Sequence, residues 1–527
     1  MLISPLIPIL CLLAGAFLMA VSALVRFRWP SLIMAVATGL AVVSLLPLQR
    51  QLPASTVALD WRPVTLVGSA VSLRVDSAAW LLGLALLLVG FAVSLTWQTV
   101  PAPEEVSRSG FSRALALAML AVGLGSVFAA NILTLALCWG LLDGLFCAVL
   151  LARGGSSSGR RAQVALGLNG LATLSVWLVA VLIEQDHLSP YWHLLVLPAS
   201  ARSVMGLAAA LRLGLYPLHI WQPVELVSEL DRAILVYLVP AAAGLSLWAR
   251  LAVMQALPEG SVWPTIALVT ALIGGVQAWL QFDPRESLPH VALGYGGMLI
   301  LAATSGRTQA EALAVGAASW LLGLTLLFVG RPFGRSTWPW AIPSALGAAT
   351  LAGLPLTLGF VSRSAFYQSA SRVNGQLVLA LIAESLLIGA LLRRLFTPDD
   401  SPLPQSRLAK VGYGAALVVA AVPLIAGVLV PPVFEAGLST AVWIAWGIPL
   451  LIGLVLAWVA GRLRTRTGGL SELTGRIIRL DWLYSILLPV MRSPARLGLL
   501  LADLLEGEGA FLWMLVILAL VLLYVRR

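Results

Sequence analysis

The chain is 527 residues long, 60% hydrophobic and 11% charged, with a mean hydropathy of +0.96. Soluble globular chains carry about 45–50% apolar and about 25% charged residues, so a soluble enzyme, a disordered protein and an ordinary nucleic-acid-binding domain are excluded. The net charge of +10 comes from 33 basic and 23 acidic residues, and a single basic residue, Lys410, is a lysine, the other 32 being arginine.

A helix that crosses the bilayer needs about 20 apolar residues. In chain order the segments that meet this are 3–25, 29–48 and 76–98, followed by 112–130, 131–152, 161–183, 203–221 and 233–256. The run continues with 263–281, 289–304, 308–330, 338–370 and 374–392, and closes with 411–432, 438–461 and 506–525. The expectation is an all-α polytopic membrane protein of about 14–16 transmembrane helices. Spanning strands are excluded because the apolar runs are continuous rather than alternating. The first span has no small-residue cleavage site before a polar region, so it reads as a retained helix. VSLRV alternates within 63–75 and predicts a short external hairpin ahead of the third span.

Two spans carry interior helix breakers. LRLGLYPLHIWQP puts Pro217 and Pro223 at or near the end of the seventh, and LAGLPLTLGFVSRSAF puts Gly353, Pro355 and Gly359 inside the twelfth. Each break frees backbone groups that lipid cannot satisfy, so each must face protein or a wet cavity. One arginine stands beside each, Arg212 and Arg363. Broken helices at matching places point to two inverted repeats, spans four to eight and nine to thirteen. The expected organisation is 1–110 for N-terminal helices and the hairpin, 111–256 and 257–396 for the repeats, and 397–461 for C-terminal helices. Residues 462–505 read as a basic linker and an amphipathic lateral helix bent by Pro489 and Pro494, and 506–527 as a last transmembrane helix.

The basic excess is mostly topology. With an external N-terminus, the loops after odd-numbered spans hold Arg26, Arg28, Arg153, Arg160, Arg161, Arg331, Arg335, Arg393 and Arg394, then those from Arg462 to Arg496. That is the positive-inside bias; it predicts a bacterial inner-membrane protein with its N-terminus external and gives no reason to expect nucleic acid as a partner.

Ionisable groups inside apolar spans are costly and are functional candidates by default. They are Asp143 in the fifth span, Arg212 and His219 around the first break, Arg363 beside the second, and Glu384 in the thirteenth span. The entry to the tenth span, DPRESLPHVALGYGG, adds His290 and the secondary candidates Asp283, Arg285 and Glu286, and the entry to the eighth adds Glu229 and Asp231. Two readings are open from residue types alone. The groups form a proton pathway, or they are neutral ion pairs, Asp143 with Arg212 and Glu384 with Arg363, that lock helices together. His219 taken alone is more often a packing residue than a relay member. Cys11, Cys138 and Cys147 all lie in apolar spans, and no CxxC or Cys/His cluster exists; no metal site and no cofactor are expected. Motifs for nucleotide, flavin or haem are lacking too, so no catalytic centre is expected in this chain.

Five segments carry a resemblance to a family. SLRVDSAAWLLGLALLLVG, RLGLYPLHIWQP, DPRESLPHVALGYGGM, LAGLPLTLGFVSRSAFY and the tail from LDWLYSILLPVMR through LLEGEG are similar to the antiporter-like subunits of respiratory complex I, of related membrane hydrogenases and of Mrp cation/proton antiporters. The two proline-containing segments match most specifically, with Arg212 and Arg363 at the family's channel-lysine positions. The resemblance implies proton or cation translocation within a multi-subunit assembly, with other membrane subunits as partners, a peripheral redox arm in complex I-like cases, and lipid around it. An NADH:quinone oxidoreductase-like translocase would be one such assembly.

The departures carry chemistry as well. Gly140 occupies the place of the family's span-five glutamate, and Asp143 lies one turn further on. The lysine expected in the eighth span falls near Ala241 or Ala242, that of the eleventh near Leu324, and Trp320 stands where some members have histidine. A relay lysine works because its ammonium can lose a proton when desolvated, whereas arginine keeps its charge. With Lys410 in a loop, a lysine relay is not available. Three functions follow: translocation through Asp143, Glu384, His219, His290 and water with the arginines as fixed charges; a non-pumping scaffold held by arginine–carboxylate pairs; or an anion or inorganic-carbon uptake module.

Overall fold

Lipid offers no partner for a backbone N–H or C=O, and the apolar runs satisfy these groups internally as helices. The computed structural model describes residues 4–25, 30–60, 70–96, 106–152, 156–222, 230–257, 262–281, 283, 286–304, 310–330, 333, 338–370, 374–397, 406–427 and 440–463. By contact the chain divides into two units, 1–467 and 468–527, and the described residues all belong to the first. The lateral helix and final span expected towards the C-terminus lie outside the described residues, as do Glu229 and Arg285.

Twelve helices among the described residues are long and apolar enough to cross a membrane. They are α1 (Leu6–Leu24), α2 (Pro30–Leu45), α3 (Ser77–Thr96), α4 (Val106–Phe128), α5 (Ile132–Ala152) and α6 (Ser156–Gln185), then α8 (Leu230–Val253), α9 (Val262–Leu280), α10 (Ser287–Thr304), α11 (Ala310–Val329), α14 (Asn374–Phe396) and α15 (Arg407–Ala426). Helix α7 (Ala199–Leu213) is short and is followed by a 3-10 turn at Leu218–Trp221. The long segment 338–370 is split into α12 (Trp338–Leu351) and α13 (Leu358–Ala370), and α16 spans Thr440–Leu463. Lys410, expected in a loop, instead lies exposed in the first turn of α15. The protein is a multi-pass, all-α integral membrane protein.

Helices α4 to α8 close a ring: each packs on the next, and α8 returns to α4. The same ring recurs in α9 to α14, where α9 meets α10, α10 meets α11, α11 meets α12, the split α12–α13 meets α14, and α14 returns to α9. The rings join through α8 against α11, with α3 packed on both.

The hairpin is present with a different first strand. Strand β1 (Ala54–Leu59) pairs antiparallel with β2 (Val71–Val75), in the register Ala54↔Val75 and Thr56↔Leu73, with an irregularity between Val57 and Leu59. The expected segment 63–75 contains β2 at its end, and residues 63–69 lie outside the described residues. The alternation that matters lies earlier, in ASTVAL, whose residues are alternately half-buried and exposed. The start of α5 holds β2 in place: Thr134 Oγ1 accepts from Ser72 N at 3.0 Å, and Asn131 Nδ2 donates to Ala70 O at 2.8 Å.

Candidate functional site

Helix α7 ends at Gly214, whose φ of +74° is left-handed backbone that glycine adopts without steric cost. The stop comes three residues before Pro217, so glycine rather than proline ends the helix. Its freed carbonyls find protein donors: the Trp221 indole donates to Leu211 O at 2.9 Å and the Gln222 amide to Leu213 O at 3.0 Å. Beyond the break, Tyr216 N donates to Thr270 Oγ1 on α9 at 3.1 Å, which ties the first ring to the second.

Arg212 stands on the last turn before this break and is 1% exposed. Its Nη1 donates to Asp143 Oδ1 and to Asn169 Oδ1, the latter at 3.2 Å. Its Nη2 donates to Trp139 O at 3.2 Å and Thr173 Oγ1 at 3.3 Å, and the guanidinium lies 4.5 Å from the Trp139 ring centre. The Thr173 hydroxyl donates in turn to Asp143 Oδ2 at 2.7 Å. The four-residue spacings Trp139/Asp143 and Asn169/Thr173 put each pair on one face of its helix. Both Asp143 oxygens are therefore bonded, and the site is closed from three sides by α5, α6 and α7.

The second break repeats this logic with the arginine on the far side. Helix α12 stops at Leu351, Gly353 has a φ of +64° and Leu356 one of +73°, and α13 resumes at Leu358. A Cβ on Gly353 would run into the Arg363 side chain, so glycine also makes room for the arginine. Arg363 Nη2 donates to Leu351 O at 3.3 Å, and the Trp446 indole of α16 donates to Ala352 O at 3.1 Å. Arg363 lies 5.0 Å from the Tyr295 ring centre, on α10, as Arg212 lies over Trp139 on α5. In each ring the arginine of the broken helix thus covers an aromatic of the ring's second helix.

The carboxylates differ. Asp143 comes from the second helix of its ring, Glu384 from the last. Glu384 is fully buried; Tyr367 donates its hydroxyl to Oε2, while Oε1 stands 3.7 Å from Arg363 Nε and has no hydrogen-bond partner. Each arginine has one buried nitrogen without a partner, Arg212 Nε and Arg363 Nη1, so the difference lies in the carboxylates. A buried polar atom left without a hydrogen bond costs about 1–3 kcal/mol, more when charged, so this pair is held less completely than the first.

The structure brings Asp143 to Arg212 and Glu384 to Arg363, and it adds Trp139, Asn169, Thr173, Tyr295 and Tyr367, which sequence reasoning did not single out. For Trp139, Asn169, Thr173 and Tyr367 the one sequence signal is a four-residue spacing to a charged or polar neighbour; Tyr295 has none. His219 is buried in the turn beyond the first break, stacked on Tyr216 at 5.3 Å, with Nδ1 unpartnered. His290 is buried on α10, five positions before Tyr295. Asp283 and Glu286 are exposed at the α9–α10 turn, where Glu286 accepts from Gln281, and neither enters a buried site. Asp231 falls at the start of α8, with its side chain outside the described residues. Among the described residues no cluster of three His, Cys, Asp or Glu side chains could hold a metal ion.

No protein-family model matches the chain, and no curated protein sequence matches it. Solved structures do. The chain is similar to a chain of the Mrp complex from Dietzia sp. DQ12-45-1b, with 20% identity and a TM-score of 0.72 over 98% of this chain and 63% of that one. It therefore spans less than two thirds of that relative's length. It is similar to a chain of the membrane-bound sulfane sulfur reductase, an archaeal respiratory membrane complex, with 16% identity and a TM-score of 0.67 over 98% and 99% of the two chains. Respiratory complex I from Thermus thermophilus contributes a third likeness, with 18% identity and a TM-score of 0.63 over 81% of this chain and 97% of that one. At these identities the likeness is one of fold.

Proposed function

We propose that the chain is an antiporter-like subunit of a multi-subunit complex I-like or Mrp-like membrane assembly, and that it moves protons through the Glu384 site. The observation that carries this reading is the asymmetry between the two ion pairs. Asp143 is bonded at both oxygens, so a proton arriving there must displace an existing donor. Glu384 keeps Oε1 free of hydrogen bonds beside a fixed guanidinium charge, the arrangement of a carboxylate that exchanges a proton while Arg363 keeps its charge. The expected path enters by way of His219 and His290 and uses water where side chains leave gaps. Arg212 with Asp143 serves as a positioned, fully hydrogen-bonded carboxylate pair in the first ring. The assembly supplies the driving reaction, through other membrane subunits or a peripheral redox arm. The chain sits in a bacterial inner membrane with its N-terminus external and its arginine-rich loops inside.

The closed Asp143 site favours a second reading, a subunit that anchors partners without pumping. The two are separated by purifying the tagged chain in mild detergent with its native partners. Translocation predicts that Glu384→Gln leaves the co-purifying subunits and their stoichiometry unchanged while proton movement stops. Loss of the partners in Glu384→Gln, or full proton movement in an intact assembly, contradicts it.

A further inference from the structure

Away from both ion pairs, on the hairpin side of the molecule, the first ring carries a charged cavity of about 190 Å³. Its polar lining is Arg74 of β2, Asp76, Trp192, His193, and Ser246 and Arg250 of α8. Arg250 is anchored at one end, where Nη2 donates to Val127 O and the guanidinium lies 5.5 Å from the Trp192 ring centre. Its Nε is buried and has no hydrogen-bond partner. Asp76 is partly committed too, because Oδ1 caps α3 by accepting from Ala79 N at 2.8 Å. Slight desolvation, and then the Arg74 charge, hold the exposed His193 imidazole below its ordinary pKa. Two guanidinium groups against one carboxylate leave the cavity one positive charge in excess.

The remaining walls are apolar, among them Leu82, Val253 and Met254. Their position in the fold matters. Val253 is the last residue of its apolar span and is exposed, and α3 begins its span at Ser77, next to Asp76. The cavity therefore lies at the level where hydrocarbon gives way to head groups. Its volume is below the ~300–1,000 Å³ of pockets for drug-sized ligands, which suits one small anionic group rather than a cofactor. Guanidinium forks match phosphate and carboxylate oxygens, and an apolar wall beside them favours an amphiphile over a freely soluble anion.

We propose that this cavity binds the phosphodiester head group of an anionic phospholipid, with the Arg74 and Arg250 guanidinium groups on the phosphate and the first acyl carbons along Val253 and Met254. The site is separate from the ion pairs, so the proposal stands or falls independently of proton movement. The test is native mass spectrometry of the full-length chain in phosphatidylcholine, titrated with phosphatidylglycerol. One phosphatidylglycerol should stay bound under activation that strips phosphatidylcholine. Arg74 lies on the hairpin outside the spans, so Arg74→Gln should fold normally and lower this retention roughly tenfold, by loss of one charge-assisted bond. Arg50→Gln, at the exposed end of the preceding turn, should leave it unchanged. Equal retention of the two lipids, or no effect of Arg74→Gln, overturns the proposal. Displacement by millimolar inorganic phosphate overturns its lipid half, since the site would then take a free anion.

Discussion

Arg212 and Arg363 occupy places where a relay would need a proton that comes off, and their surroundings show what arginine does there instead. Arg212 distributes its two terminal nitrogens over a carboxylate, an amide, a backbone carbonyl and a hydroxyl. A lysine ammonium is a point charge and cannot reproduce that planar fork. Arg212→Lys should therefore fail to rescue the site, and thermal unfolding of the purified chain should show it nearly as destabilised as Arg212→Gln. Breaking a buried pair leaves one charge uncompensated and costs about 3–5 kcal/mol. Asp143→Asn should show the same loss as a lower melting temperature and a lower yield of assembled complex. Unchanged stability in Asp143→Asn would remove the structural role given to the first pair. Both pairings were legible in the sequence, because few charges lie in the apolar spans and each needs an opposite charge. Trp139, Tyr295, Tyr367, Asn169 and Thr173 were not, because such residues are ordinary in membrane helices and only their contacts single them out.

The elements that hold these residues are broken helices whose loose ends are capped by side chains. Gly353 combines a left-handed φ with contact to the Arg363 stem. A side chain at such a position costs about 1–2 kcal/mol in backbone strain alone, so Gly353→Ala should lower the melting temperature and displace Arg363 from Glu384. An unshifted melting curve would count against this use of the glycine. Arginine serves the intact helices in the same way: Arg393 of α14 donates to Ala278 O, Trp279 O and Gln281 O at the end of α9, and Arg394 donates to Leu327 O of α11. Hydrogen bonds from a charged donor contribute about 1.5–3 kcal/mol each. Arg393→Ala should cost at least about 2 kcal/mol in a denaturant titration, with Arg393→Lys recovering part of it; equal stability would show that these caps are idle. Carbonyl capping accounts for part of the arginine content, and it could not be read without coordinates. The breaks were visible from Gly and Pro in apolar runs, but the residue that ends α7 is Gly214, not the prolines. Dihedral angles, not composition, decide that.

For the whole molecule, span positions followed from the length of the apolar runs, and fifteen of the sixteen expected segments coincide with described helices or a split helix. What the sequence did not contain was how the rings close, since that depends on contacts between helices far apart in the chain. Ring closure is also what makes the two pairs unequal. In the first ring three neighbouring helices surround Asp143, whereas in the second Glu384 comes from the closing helix and meets the arginine from one side. This looser site is the one we propose exchanges a proton. Its most direct measurement is proton movement by the native assembly, reconstituted in vesicles, with wild-type chain, Glu384→Gln and Glu384→Asp. The account predicts no proton movement with Gln, partial movement with Asp, and intact subunit composition in both. Wild-type proton movement with Gln, in an intact assembly, would contradict it.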